Sequence, residues 1–199
     1  MLEALVLAGG ASTRMGSPKA VLQTPDGRPF IIRIIETLFD AGLTRITIVT
    51  GVHHDVTAEL CASHSVARAV RCVRNPDPAR GQLSSLIVGM EAVVGPQTQG
   101  LLVTLVDVPM VTADTVTRLV EAWERHAAPI VRPEIGSRHG HPVIFDRQVF
   151  GALRATPLDR GARAVVNAYA DRAESVAVVD PGCLVDVDTP DDYARLGGS

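Results

Sequence analysis

The sequence has few aromatic residues and no block of basic residues, and both shortages narrow the range of partners. Aromatic side chains make up 4% of the 199 residues, while hydrophobic residues make up 46%. The core is therefore expected to be aliphatic, and aromatic platforms that stack nucleic-acid bases are not expected. Nineteen basic and twenty-two acidic side chains give a net charge of -3. This balance argues against nucleic acid as a partner.

The sequence also lacks paired cysteines and long apolar runs. Its three cysteines, Cys61, Cys72 and Cys183, are widely spaced and form no C-x-x-C pair. This pattern argues against a disulfide framework and a zinc site, and it favours buried free thiols. No apolar run reaches the roughly 18 residues that a bilayer span needs, and no basic n-region opens the sequence. We therefore expect a cytoplasmic protein without membrane contact.

In the first two thirds of the chain, short apolar runs rich in β-branched residues alternate with amphipathic stretches. The pattern predicts strands at 4–8, 45–50, 69–73 and 101–106, and helices at 30–39, 83–94 and 115–126. Thr112 and Asp114 are candidate caps of the third of these helices. Strands and helices in alternation imply right-handed crossovers and a mostly parallel sheet. The expected fold class is α/β, a Rossmann-like three-layer sandwich.

The pattern changes after about residue 129, where prolines and glycines interrupt the chain. Two short apolar pieces, 130–131 and 143–145, predict a hairpin or paired strands rather than another crossover. A helix near 161–169, a strand near 175–179 and a helix after Pro190 complete the prediction. This last third is expected to form an antiparallel hairpin or lobe that folds over the carboxyl edge of the sheet.

A glycine-rich loop follows the first predicted strand and ends at Lys19, the one lysine of the chain. Two adjacent glycines let backbone N–H groups turn toward an anion, and Arg14 and Lys19 would neutralise phosphate oxygens. The loop contains no G-x-G-x-x-G, and no hydroxyl follows Lys19, so neither the dinucleotide fingerprint nor the P-loop fits. The alternative is an ordinary surface turn with a lysine placed there by chance. The segment reads Leu7-Ala8-Gly9-Gly10-Ala11-Ser12-Thr13-Arg14-Met15-Gly16-Ser17-Pro18-Lys19.

The motif L-A-G-G-x-S-x-R-M-G-x-x-K resembles the signature of the nucleotidyltransferase family that includes the molybdenum-cofactor enzymes and the sugar-phosphate nucleotidyltransferases. The resemblance implies a magnesium-dependent enzyme that transfers a nucleoside monophosphate from an NTP to a phosphorylated acceptor and releases pyrophosphate. One domain over 1–199 is expected, with residues up to about 128 for the nucleotide and 129–199 for the acceptor. The implied nucleotide-binding residues of the loop are Leu7 and Ala8 near the base, and Gly9, Gly10, Ser12, Arg14 and Lys19 at the phosphates.

Asp107 follows the fourth predicted strand, so it should face the same edge of the sheet as the loop. Mg²⁺ takes few protein carboxylates and leaves positions for phosphate oxygens and water. An aspartate at a strand end is also a common cap or turn former. In V-D-V-P, Asp107 resembles the metal-binding aspartate of the family. With Arg14 and Lys19 it makes up the predicted catalytic set.

A second acidic segment, D-V-D-T-P-D-D at 186–192, resembles the D-x-D-T-P-E-D segment seen late in these enzymes. Asp186 is predicted as the second metal contact. Asp186 or Asp188 can instead belong to a turn, with Thr189 as the cap of a helix begun by Pro190, so the choice between the two aspartates stays open. The next two acids are expected in the first turn of that helix, where they complement its dipole.

The segment N-P-x-x-x-x-G-x-x-S-S-L, with Asn75, Gly81, Ser84 and Ser85, is predicted to contact the base. Exposed N–H and hydroxyl groups at a helix start can read a base edge, although Ser84 or Ser85 can equally be an ordinary N-cap. By resemblance, the segment belongs to the molybdopterin cytidylyltransferase branch. It therefore points to CTP.

The segment Arg138-His139-Gly140-His141-Pro142 resembles the G-H-P segment of the same branch. Arg138, Gly140 and His141 are therefore predicted to bind the acceptor, unless the glycine and proline only shape a hairpin. Two histidines without a third ligand are weak evidence for a metal. The stretch 159–163 resembles the G-x-x-G-A-R turn of the branch but lacks its first glycine.

The sequence thus predicts cytidylyl transfer onto molybdopterin, with molybdoenzyme or chaperone contacts as further partners. An ionised acceptor phosphate would attack the α-phosphate in line, which requires no general base. The alternatives within the enzyme class are a GTP-dependent molybdopterin guanylyltransferase and a sugar-phosphate nucleotidyltransferase. A nucleotide-binding regulator without turnover is the alternative from another class. The second metal carboxylate argues against it, because binding alone does not need one.

Overall fold

The computed structural model describes residues 1–65, 70–126 and 128–197, which form one sheet flanked by helices. The strands are β1 Leu2–Ala8, β2 Ile46–Thr50, β3 Val70–Arg74, β4 Gly100–Leu105, β5 Ile130–Ile135, β6 Arg138–His139, β7 Val143–Asp146 and β8 Glu174–Ala177. The helices are α1 Phe30–Asp40, α2 His54–Ser63, α3 Gln82–Val93, α4 Ala113–His126, α5 Phe150–Ala155, α6 Gly161–Ala168 and α7 Pro190–Leu196.

The sheet has the order β3-β2-β1-β4-β7-β5-β6, and β8 pairs with β5. The first four strands in this order are parallel, so their carboxyl ends share one edge. β7 runs antiparallel to both β4 and β5, while β8 runs parallel to β5. The predicted α/β class with a mostly parallel sheet and an antiparallel addition is confirmed.

The core forms two layers because side chains alternate between the two faces of each strand. In β1, Ala4 and Val6 pack on the face covered by α1, α2 and α4. Leu5 and Leu7 pack on the opposite face, under α3, α5 and α6. The result is the predicted three-layer sandwich.

The sequence pattern suggested that the last third folds over the carboxyl edge of the sheet, but its strands do not do so. They extend the same sheet, because β7 pairs with β4 and satisfies backbone groups that an edge strand would expose. Residues 180–188, which we call the strap, pass the carboxyl end of β4. The backbone N–H of Val187 donates to the Asp107 carbonyl at 2.9 Å and fixes the strap there.

The predicted strands and helices of the first two thirds are present, but two helices were not predicted. Helix α2 buries only Thr57 and Cys61, so its sequence lacks the apolar stripe that marks a surface helix. Helix α5 has six residues, too few for a helical period to be recognised. Ala69, the predicted first residue of the third strand, lies outside the described residues.

The cysteines are free thiols, as expected, with Cys61 and Cys183 buried and Cys72 half-buried. None of the helices in the described ranges is both long and apolar enough to cross a membrane.

Candidate active site

Lys19 lies at the centre of the candidate site. Its Nζ atom is 3.0 Å from Asp107 Oδ2 and 2.5 Å from Asp188 Oδ1. The backbone N–H of Lys19 donates to Ser12 Oγ at 3.2 Å, which closes the glycine-rich loop on itself. Burial lowers the pKa of the Lys19 ammonium, but the hydrogen bonds and charges of Asp188 and Asp107 outweigh burial and raise the pKa above its usual value. The ammonium is therefore held charged between two carboxylates.

Asp107 lies just beyond β4 and carries one unpaired oxygen. Its Oδ2 atom accepts from Lys19, whereas Oδ1 is buried and has no hydrogen-bond partner among the described residues. A buried carboxylate oxygen without a partner is costly, and a divalent cation would satisfy it. Within the described ranges, the structure contains no group of three or more histidine, cysteine or acidic side chains that could hold a metal ion by themselves. Two carboxylates are sufficient for Mg²⁺ when phosphate oxygens and water complete its coordination.

Asp186 lies near Asp107 because the residue that follows it, Val187, is hydrogen-bonded to the Asp107 backbone. Burial raises the pKa of Asp186, and the negative charge of Asp107 raises it further. A carboxylate whose ionisation is opposed by a neighbouring carboxylate forms with it an acidic pair, here Asp107 and Asp186, that is suited to a cation. Of the two aspartates left open by the sequence, Asp186 forms the acidic pair with Asp107, and Asp188 contacts Lys19.

His141 also lies near the two carboxylates of this pair. Burial lowers the pKa of its imidazole, although the Val103 backbone and the charges of Asp186 and Asp107 oppose the decrease. Its Nδ1 atom is buried and has no hydrogen-bond partner in the described part of the chain. The imidazole near the acidic pair therefore has one polar atom without a partner among the described residues, and burial favours its neutral form.

The strap is fixed to the rest of the protein at its start by Asp180. This carboxylate accepts hydrogen bonds from Thr112 N at 2.8 Å, Thr112 Oγ1 at 2.9 Å, Thr115 Oγ1 at 2.8 Å and Gly182 N at 3.0 Å. It thereby ties the strap to the beginning of α4. Further along, the backbone N–H of His141 donates to the Cys183 carbonyl at 3.0 Å.

Gly140 is the point where the predicted acceptor segment meets the strap. A Cβ atom on Gly140 would lie 1.8 Å from the Cys183 carbonyl oxygen, so only glycine permits this approach. The segment thus has a structural requirement for glycine that is independent of any ligand.

A buried polar cluster is formed by Asn75, Ser84 and Ser85. The sequence pattern predicted exposed hydroxyl groups here, and that prediction is wrong. Asn75 Nδ2 donates to Ser84 Oγ at 2.9 Å and to Ser85 Oγ at 3.0 Å. Ser84 also donates to the Gly81 carbonyl at 2.7 Å. Gly81, and neither serine, is the N-cap of α3. The hydroxyl groups are turned inward because the cluster satisfies their hydrogen bonds inside the protein.

This cluster lies beneath the glycine-rich loop. A Cβ atom on Gly9 would lie 2.6 Å from Ser85 Oγ, and one on Gly51 would lie 2.3 Å from the Gly9 carbonyl oxygen. Gly9 is therefore held between the cluster and the end of β2. On the other side of the loop, His53 Nε2 lies 3.2 Å from the Ala11 carbonyl oxygen.

The outer part of the loop faces solvent. Gly10 and Arg14 are exposed, and Arg14 forms no hydrogen bond or ion pair with the described residues. Leu7 and Ala8 are buried at the end of β1. The structure thus brings together Lys19, Asp107 and Asp186 and leaves Arg14 outside this group.

A cavity of about 620 Å³ opens between α3 and α6, on the sheet face that carries Leu7. Asp186 lies at its boundary, which connects the cavity to the acidic pair. All three residues predicted to bind the acceptor line it. Besides Asp186, the lining residues include Arg132, Arg138, Gly140, His141, Val143, Phe145, Arg163 and Val166.

Three residues that shape the site, Asp180, Gly51 and Arg132, were not singled out from the sequence. Asp180 stands before Pro181-Gly182, a pattern that predicts only a turn. Gly51 follows β2 directly at the edge where the loop lies, which is a recognisable signal. Arg132 alternates with Ile130 along β5, so its face could be read from the sequence once the strand was known.

Comparisons with known proteins agree with this architecture. A family profile described as the MobA-like NTP transferase domain matches residues 4–173. A probable molybdenum cofactor guanylyltransferase of Rhodopirellula baltica is 30% identical over 128 residues, which cover 64% of this chain and 58% of that protein. Nicotine blue oxidoreductase of Paenarthrobacter nicotinovorans is 29% identical, over 96% of this chain and 94% of its own.

Among solved structures, Rv0371c of Mycobacterium tuberculosis superposes with a TM-score of 0.79 at 30% identity, and the match covers 98% of this chain and 96% of that one. A manganese complex of the same mycobacterial protein is similar at 27% identity, with a TM-score of 0.75 and 98% and 97% coverage.

Proposed function

Because this chain belongs to the family of the MobA-like NTP transferase domain, we propose that it transfers a nucleoside monophosphate from an NTP to a phosphorylated acceptor. The observation that supports this most is the position of Lys19 Nζ, 3.0 Å from Asp107 Oδ2, at the end of a glycine-rich loop. An ammonium that is fixed by Asp107 and Asp188 and lies beside open backbone N–H groups of the loop suits a triphosphate and its metal. Binding of a neutral ligand would not require this arrangement.

The residues fit a divalent metal ion, proposed as Mg²⁺. Asp107 offers a buried oxygen that has no hydrogen-bond partner among the described residues, and Asp186 supplies the second carboxylate. When bound there, the ion would supply positive charge to the phosphate oxygens and help neutralise the transition state. Lys19 would then exchange at least one of its two carboxylate contacts for a phosphate oxygen.

In the proposed reaction, a phosphate oxygen of the acceptor attacks the α-phosphorus of the NTP in line. The bond between the α-phosphorus and the bridging oxygen of pyrophosphate breaks as the new P–O bond forms. Both reacting groups are ionised, so no proton has to be removed. The protein contributes alignment and positive charge. Lys19 would lie at the leaving group, and Arg14 would join it there once the loop closes on the phosphates.

We propose CTP as the nucleotide and a molybdopterin-like phosphate as the acceptor. The N-P-x-x-x-x-G-x-x-S-S-L and G-H-P segments support the cytidylyl branch, whereas the Rhodopirellula relative is named a guanylyltransferase. GTP is therefore the alternative that the experiment has to separate, and a sugar phosphate is the alternative acceptor. The buried Asn75 cluster supports recognition of the base through backbone groups near Gly81 and not through the serine hydroxyls.

The test is a scan of the four common nucleoside triphosphates against a panel of phosphorylated acceptors, with Mg²⁺ or Mn²⁺, followed by pyrophosphate release. We expect release with CTP and a molybdopterin acceptor, and loss of release in Lys19→Ala. Tight nucleotide binding without pyrophosphate from any pair would instead support a regulator.

A redox reaction is a second candidate, because the Paenarthrobacter relative that aligns along 96% of this chain is named an oxidoreductase. The carboxylate pair and the lysine have no evident role in electron transfer, which is why we place this candidate second. Turnover of a redox dye by the parent protein, retained in Lys19→Ala and Asp107→Asn, would favour it over nucleotidyl transfer.

A further inference from the structure

The cavity next to the acidic pair carries an excess of positive charge. Among the described residues, three arginines line it: Arg132 on β5, Arg138 on β6 and Arg163 on α6. None of the three forms an ion pair with a carboxylate in the described part of the chain. Guanidinium groups stay charged at every physiological pH, so they repel one another in a shared cavity unless an anion joins them.

Arg132 lies on the side of the cavity away from the acidic pair. It belongs to β5, which is two strands from β4, the strand that leads to Asp107. Two strand spacings correspond to about 10 Å across the sheet. Arg132 Nε donates to Ser175 Oγ at 3.3 Å, and this contact holds the guanidinium in place on a half-buried side chain.

The surface between the two ends is apolar. Val103 pairs with Val143 in the sheet, and both side chains are buried and contribute to the floor of the cavity together with Phe145. Val166 of α6 lines the wall above this floor. A ligand that spans the cavity therefore meets carboxylates and a cation site at one end, an apolar surface in the middle, and the guanidinium of Arg132 at the other end.

We propose that the acceptor is anionic at both ends, with an apolar body between them. Its nucleophilic phosphate would lie at the acidic pair, as the proposed function requires. Its second anionic group, about 10 Å away by the strand spacing, would be bound by Arg132. This defines the substrate class as rigid organic phosphates with a distant second anionic group, and it excludes simple phosphates whose other end is neutral.

The experiment compares two probes that differ only in the distant charge. Naphth-2-yl phosphate has a neutral far end, and 6-sulfonaphth-2-yl phosphate carries a sulfonate across the ring system. Their affinities are measured by calorimetry with Mg²⁺ and without nucleotide, for the parent and for Arg132→Gln and Arg132→Lys. Arg118→Gln is the matched control, because Arg118 is an exposed arginine of α4 on the opposite face of the sheet. Thermal unfolding of each variant reports whether it is folded.

We expect the parent to bind the sulfonate probe roughly tenfold more tightly than the neutral one, the scale of one charge-assisted hydrogen bond. Arg132→Gln should remove most of this preference, Arg132→Lys should retain part of it, and Arg118→Gln should leave it unchanged. Equal affinity of the two probes for the parent, or an equal loss in Arg118→Gln, overturns the inference.

The proposed function is tested separately by pyrophosphate release. Release by the parent together with equal probe affinities would overturn the two-ended acceptor and leave nucleotidyl transfer in place. A preference for the sulfonate without release from any NTP would overturn nucleotidyl transfer and the assignment of this ligand as its acceptor.

Discussion

Lys19 Nζ lies 3.0 Å from Asp107 Oδ2, although 88 residues separate the two along the chain. The contact joins the loop after β1 to the turn after β4, two strands that are neighbours in the sheet. Adjacent parallel strands deliver their carboxyl ends to one edge, so the lysine and the aspartate meet without a long connecting segment.

Replacement of the lysine tests the charge at the centre of the site. Lys19→Ala should lower kcat by roughly 100- to 1000-fold, the scale for loss of one donor to a developing charge. Lys19→Arg should restore only part of the rate, because a planar guanidinium does not replace a compact ammonium between two carboxylates. Steady-state pyrophosphate release measures both variants, with Arg118→Ala as the control. A Lys19→Ala rate within a factor of three of the parent would remove Lys19 from the mechanism.

The three aspartates of the site should differ in their effect on metal dependence. Asp107→Asn and Asp186→Asn should each raise the metal concentration for half-maximal activity by roughly tenfold or more, because each removes a proposed ligand. Asp188→Asn should alter this concentration less and reduce kcat instead, since Asp188 contacts Lys19. Titration of activity with Mg²⁺ and Mn²⁺ distinguishes them. If Asp188→Asn alone shifts the titration, Asp188 is the ligand in place of Asp186.

Gly51 should be needed for the position of the loop. In Gly51→Ala the new Cβ would lie 2.3 Å from the Gly9 carbonyl oxygen, so the loop has to move. We expect a loss of about 1–3 kcal/mol in the free energy of unfolding and weaker nucleotide binding. Gly151→Ala is the matched control, because Gly151 is an exposed glycine within α5 with no atom near its Cβ position. It should leave binding unchanged and stabilise the protein by up to about 1 kcal/mol. Equal behaviour of the two variants would show that the loop tolerates the displacement.

Asp180 should hold the strap in place. Asp180→Ala leaves the groups of Thr112, Thr115 and Gly182 without their acceptor, and we expect a loss of about 2–3 kcal/mol in the free energy of unfolding. Because the strap carries Asp186, the metal titration should shift as well. Urea unfolding and the metal titration are the measurements, and Asp171→Ala, at an exposed position, is the control. A stability loss without a shift in the titration would confine Asp180 to a purely structural role.

Asp192 gives a prediction about acid stability. Its carboxylate accepts from Thr189 Oγ1 at 2.7 Å and from Thr189 N at 3.0 Å in a capping box at the start of α7. The hydrogen bond from the Thr189 side chain, followed by those from the backbone, lowers the pKa of Asp192 below its ordinary 3.8. A depressed pKa means that the stabilisation is fully present above pH 3.8 and is lost as the pH falls through the lower folded-state value.

The unfolding temperatures of the parent and of Asp192→Ala should therefore differ at pH 6 and converge as the pH falls below 3.8. Asp191→Ala, at the neighbouring exposed position, should show no such convergence. A constant difference between parent and Asp192→Ala at all pH values would contradict the role of the ionised carboxylate.

Much of the fold followed from local patterns. The strands β1, β2 and β4 are short and buried on both faces, so each appears as a continuous aliphatic run, and α1 and α4 carry clear apolar stripes. Helix α2 could not be predicted from the sequence, because few of its side chains are buried and its apolar pattern is weak. The placement of β5, β7 and β8 did not follow either, since nothing local to these segments specifies that they pair with β4 and with one another.

For the site, the sequence alone determined the glycine-rich loop, its single lysine and an aspartate at a strand end, because backbone freedom, charge and position after a strand are local properties. The tertiary structure decided which two carboxylates the lysine contacts. It also decided that Asn75 and its two serines are buried under Gly9, and that the strap brings Asp186 to Asp107. These depend on hydrogen bonds between residues far apart in the chain, and such contacts exist only once the sheet has brought their strands together.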